Sequence, residues 1–86
     1  MSILKDILYK VAIEAVKGST DIVINKMDFD SRKIEANDVF VAIRGSISDG
    51  HDFIEKAILQ GAVAVICDTF PENIAKGITY VQVKDT

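Results

Sequence analysis

Eighty-six residues, 49% hydrophobic and 27% charged, suffice for one small globular domain and exclude a disordered chain. The net charge of -3, with ten basic residues spread along the chain, excludes the concentrated basic patch with which a nucleic-acid binder grips phosphates. No apolar run approaches the ~20 residues needed to cross a bilayer, and Lys5 and Asp6 interrupt the N-terminus where a signal peptide would be apolar. The chain therefore reads as intracellular, with no membrane partner. Its single cysteine, Cys67, cannot close an internal disulfide, which agrees with a reducing compartment.

From the N-terminus, Ser2 is expected to cap a short helix whose apolar face is Ile3, Leu4, Ile7, Leu8 and Val11, at spacings of three and four. Gly18-Ser19-Thr20-Asp21 reads as a turn. The stretch "IVINKMDFD" follows, with Ile22 and Ile24 alternating, and suggests one half-buried strand. "EAND" is a second turn, and "VFVAI" is a continuous apolar strand expected to be covered on both faces. After a loop with two glycines, Phe53, Ile54, Ala57 and Ile58 repeat at helical spacing. Asp49 or Asp52 is the expected cap, Asp52 stands four residues before Lys56, and Gly61 ends the helix. "AVAVIC" is a further buried strand, Pro71 and Gly77 punctuate a loop, and "ITYVQV" is the last strand.

Strand, helix, strand from 39 to 67 is long enough for one crossover unit. The fold class is thus α/β: a small, at least partly parallel sheet with flanking helices. The chain stops just after a strand, at Val83-Lys84-Asp85-Thr86, as though cut between domains.

The special residues gather between 28 and 53. Gly45, four residues and Gly50 match the first half of a phosphate-binding loop, but His51 and Asp52 stand where lysine and a hydroxyl residue are required, and Asp49 would repel a phosphate. The loop amides could still meet an anion or a nucleotide edge. A hydrolytic triad of Ser31, His51 and an aspartate lacks the sharp turn such a nucleophile needs, and His51 has no second ligand at metal spacing. Asp28 and Asp30 flank Phe29, a pattern of a solvated edge or of a strand end offering Ser31 and an apolar wall to a ligand. Arg32 suits either a bound anion or a salt bridge to Asp30 or Asp38. Cys67, within "AVAVIC", is expected to be buried and inert. No catalytic set and no metal site emerges from these residues.

Taken together, Asp30-Ser31-Arg32, "FVA", a glycine, "DGHDFI" and "GAVA" between residues 30 and 66 resemble the N-terminal domain of the Mur ligases, the ATP-dependent amino-acid-adding enzymes of peptidoglycan precursor synthesis. The opening "LKDIL" is most similar to the member that adds the third residue to UDP-MurNAc-dipeptide, with the D-alanyl-D-alanine-adding member as the alternative. The resemblance implies that residues 1–86 are a single UDP-substrate-binding domain, inactive alone. The ATP-binding central domain and the C-terminal domain would be its partners in a cytoplasmic enzyme serving cell-wall biogenesis and cell division. ATP and magnesium would belong to that full-length enzyme, and no cofactor to this domain. Matching motif to motif, the uridine contacts would be Phe29 and Ser31 at a strand end, and Ser46, Ile47 and Ser48 after Gly45. A stand-alone interaction module of the same fold is the reading from a different class.

Overall fold

The computed structural model describes residues 2–42 and 50–84. A short N-terminal ribbon pairs β1 (Ser2–Ile3) with β3 (Val23–Ile24), antiparallel. The main sheet has the order β2 (Ile13–Lys17), β7 (Thr79–Val83), β6 (Ala64–Cys67), β5 (Val39–Val41), β4 (Met27–Asp28). Strands β4 to β7 are mutually parallel and only β2, at one edge, runs against its neighbour. The mixed sheet agrees with the expected α/β class. The crossover between β5 and β6 carries a 3-10 turn, Gly50–Phe53, and the helix α2 (Ile54–Leu59).

Period-two alternation along the apolar runs builds two cores, one on each face. In register, Phe40, Val65 and Tyr80 line the face that receives Ile54 and Ala57 of α2. Val39, Ala64 and Ile66, with Val81, line the opposite face against Leu4, Leu8 and Ile24. "VFVAI" and "AVAVIC" are therefore covered on both sides, as their unbroken hydrophobicity requires. The Tyr80 hydroxyl escapes an unmet hydrogen bond by accepting from the Ala75 amide at 2.9 Å.

Four local expectations are corrected. Ser2 does not cap a helix: it lies in β1, and α1 (Leu4–Ile7) starts from Ile3 without a side-chain cap. The helix then tightens to a 3-10 turn, Leu8–Lys10, and Val11 is 40% exposed. The single strand expected over "IVINKMDFD" is two strands in different sheets. It breaks at Asn25 and Lys26, whose side chains both turn to Asp38. Asp52 lies inside the 3-10 turn and Phe53 stands at the N-cap of α2 with no side-chain cap, while Asp49 falls outside the described residues. Finally, β2 was not foreseen, because Ile13–Lys17 shows weak alternation and gains its strand form by pairing along β7. The turns at 18–21 and 35–38 stand as expected, the second with Asn37 at φ 67.

Candidate binding site at the ends of two parallel strands

Because β4 and β5 are adjacent and parallel, the segments that follow them start from neighbouring strand ends. In open parallel sheets that carboxyl edge is where ligands bind. The segment after β4 is built from local aspartate chemistry. Asp28 Oδ1 accepts from the Asp30 amide at 2.9 Å, and Asp30 Oδ1 accepts from the Arg32 amide at 2.9 Å, capping a 3-10 turn over Ser31–Lys33. The Arg32 guanidinium returns to the same carboxylate at 3.1 and 2.9 Å. That bidentate pair, with the Arg32 amide, draws the Asp30 carboxyl down to about 2. Of the two roles open to Arg32, the salt bridge to Asp30 is the one formed.

Phe29, at the bend, stands 69% exposed. Ser31 beside it is buried to 7%. Its hydroxyl has no hydrogen-bond partner among the described residues, while its carbonyl is held by the Gln60 carboxamide. Phe29 and Ser31 thus stand two positions apart on the segment that follows β4, the first exposed and the second buried. Ser46, Ile47 and Ser48, with Gly45, lie outside the described residues.

Two supports fix this turn from behind. Asp38 has no exposed side-chain surface and accepts from the Glu35 amide at 2.7 Å, Asn25 Nδ2 at 3.2 Å and Lys26 Nζ at 2.5 Å. Burial alone would raise its carboxyl; the lysine, the amide and the asparagine outweigh it and the carboxyl is lowered, while Lys26 is raised in turn. The second support is the end of α2. Gln60 Nε2 donates to the carbonyl of Ser31 and to that of Ile34 at 3.5 Å, and the Gly61 carbonyl accepts from the Asn37 amide at 3.0 Å. Gly61 itself has φ +120, and a Cβ there would come within 2.8 Å of the Ala36 Cα, so only glycine allows this approach. From the sequence, Asp38 falls in a turn and Gln60 is assigned no role. A buried acid directly before an apolar strand, with Lys26 twelve residues earlier, was the one available signal for the first. Nothing in the sequence signals the second.

The other candidates resolve differently. His51 is 12% exposed and joins the start of the α2 crossover to the end of β6. Its Nε2 lies 3.1 Å from the Asp68 amide, which a neutral ring accepts, and 2.9 Å from Asp68 Oδ1, which a protonated ring would meet. It does not meet Ser31, so the triad is not assembled. Cys67 is fully buried, and burial followed by the charge of Asp68 pushes its thiol up to about 11. An open groove of about 360 Å³ runs between α2 and Pro71–Ala75, lined by Tyr80 and, at its polar side, by His51, Asp52, Glu55, Glu72 and Asn73, three of them carboxylates that would repel a phosphate. No group of three metal-ligating side chains occurs among the described residues, and no helix there is long and apolar enough to cross a membrane.

Residues 23–85 match the family model described as Mur ligase family, catalytic domain. The UDP-N-acetylmuramoyl-L-alanyl-D-glutamate--2,6-diaminopimelate ligase of Cytophaga hutchinsonii is 45% identical over 84 residues, covering 96% of this chain and 17% of that protein. The ligase of the same name from Bacteroides fragilis is 40% identical over 83 residues, again covering 96% of this chain and 17% of its own length. A crystal structure of MurF from Acinetobacter baumannii superposes with a TM-score of 0.65 at 28% identity, over 73% of this chain and 13% of that one. The chain thus spans about a sixth of the length of the curated relatives it matches.

Proposed function

This chain belongs to the Mur ligase family, and from that premise we propose that it is the N-terminal domain that grips the UDP end of UDP-N-acetylmuramoyl-L-alanyl-D-glutamate. The whole enzyme, in this reading, is a cytoplasmic ATP-dependent ligase adding 2,6-diaminopimelate as the third residue. The identity to ligases of that name supports this branch over the D-alanyl-D-alanine-adding one, whose structure is matched at 28% identity.

The observation that carries the reading is the pairing of an exposed Phe29 with a Ser31 hydroxyl that has no partner among the described residues, at the carboxyl end of β4 and beside the end of β5. Uracil presents two carbonyls and one N–H around a flat apolar ring. Phe29 covers the ring and Ser31 donates to or accepts from its edge. Ser46, Ile47 and Ser48, following β5, complete the contacts. Asp30, locked by Arg32, keeps its charge without competing for the hydroxyl. Holding a remote, non-reacting handle supplies binding energy that orients the carboxylate at the other end of the substrate.

ATP and magnesium serve the central domain in this scheme. This chain's own residues do not fit ATP, since His51 and Asp52 occupy the positions where a phosphate loop needs lysine and a hydroxyl. Titration of the isotope-labelled chain with UDP tests the reading. Amide shifts should cluster at Phe29, Ser31 and residues 45–50, and Ser31→Ala should weaken binding by about 1 kcal/mol. Shifts confined to the groove beside α2, none at millimolar UDP, or ATP hydrolysis by the purified chain would refute it.

A further inference from the structure

We propose that Gln60 is a positioning residue for the nucleoside end of the ligand, acting through Ser31; the inference rests on the UDP-handle reading above. The 3-10 turn that carries Ser31 is closed well at its start, where the Lys33 amide donates to the Asp30 carbonyl at 3.0 Å, and poorly at its end. The Ile34 amide reaches the Ser31 carbonyl at 3.4 Å, beyond the usual range for such a bond, and three-residue 3-10 turns have poor hydrogen-bond geometry in any case. The Gln60 carboxamide supplies what is missing. Its Nε2 donates to the carbonyl of Ser31, the acceptor that the Ile34 amide reaches poorly, and its second hydrogen is directed to the Ile34 carbonyl at a longer 3.5 Å.

Gln60 is itself held at the end of α2. Its amide bonds to the carbonyls of Lys56 and Ala57, both at 3.1 Å, and Gly61 beyond it is docked on Ala36 and Asn37. The crossover that begins after residues 43–49 therefore ends on the turn after β4. Loss of the clamp frees the turn to sample other arrangements, and affinity falls by the fraction of time the competent one is absent. Gln60 faces outward otherwise and touches no ligand in this scheme, so it is not a catalytic residue.

UDP dissociation constants, measured by calorimetry on the 86-residue chain, test this with four variants. Gln60→Met keeps the length and removes the donor, and should raise the constant roughly three- to tenfold. Gln60→Lys keeps a donor on an unbranched stem and should restore affinity to within about twofold of the parent. In a Ser31→Ala background, Gln60→Met should add almost nothing, because the group it positions is gone. Melting temperature is read alongside. A merely structural glutamine lowers it in every background without that dependence on Ser31. If Ser31→Ala weakens UDP binding while Gln60→Met does not, or if the two losses multiply independently, the inference fails and the handle reading stands. If Ser31→Ala has no effect, the reading fails and takes the inference with it.

Discussion

Replacing Asp38 by alanine should cost this domain a large share of its stability, although the residue touches no proposed ligand. Its carboxylate is fully covered and takes three donors: the Glu35 amide at 2.7 Å, Asn25 Nδ2 at 3.2 Å and Lys26 Nζ at 2.5 Å. Lys26, 39% exposed, can swing into water when its partner is lost and is left out of the sum. The Glu35 amide and the Asn25 carboxamide are left behind without their charged acceptor, which puts the loss at about 2–4 kcal/mol. For a chain of this size each kcal/mol moves the midpoint by about 4–8 °C, so Asp38→Ala should melt on the order of 10–25 °C below the parent. Far-UV circular dichroism during heating, with urea titration for the free energy, reads both quantities. Asp38→Asn keeps one oxygen for the Glu35 amide and should lose about half as much. The sign of the pH dependence is set by the lowered carboxyl. Asp38's contribution is complete above the unfolded value of about 4 and is lost as the pH falls through the lower folded value, so parent and Asp38→Ala should converge in acid. A loss below about 1 kcal/mol at neutral pH, or a gap that widens in acid, would show that the network is ornamental.

Gly61→Ala should destabilise by about 2 kcal/mol or more, since its Cβ would meet the Ala36 Cα at 2.8 Å and φ is +120. Gly77→Ala, at φ +83 with nothing within 4 Å, should cost about 1 kcal/mol, and equal losses at the two sites in urea titrations would contradict the close approach. Cys67, buried with its thiol raised to about 11, should resist thiol reagents at pH 8 until the chain unfolds. Stoichiometric labelling within minutes in native buffer would mean that the end of β6 opens far more readily than its packing allows. Phe29→Ala should leave the melting temperature almost unchanged, because the ring is 69% exposed, yet should weaken UDP binding severalfold. A large loss of stability would mark the ring as core rather than site.

Much of this protein was determined by its sequence alone. The unbroken apolar runs at 39–43 and 62–67, joined by one helical repeat, require strands covered on both faces and a crossover between them, because hydrophobic periodicity is a local property of the chain. The same linear pattern carried the family resemblance, and with it the proposal of Phe29 and Ser31 as contacts. The tertiary structure alone decided the rest. Residues 13–17 became a strand only because β7 offered an edge to pair with, and "IVINKMDFD" split because Asn25 and Lys26 turn to a carboxylate more than ten residues away. Gln60 reached Ser31 across 29 positions. Such bonds depend on where the sheet brings distant segments together, and no local spacing encodes that distance.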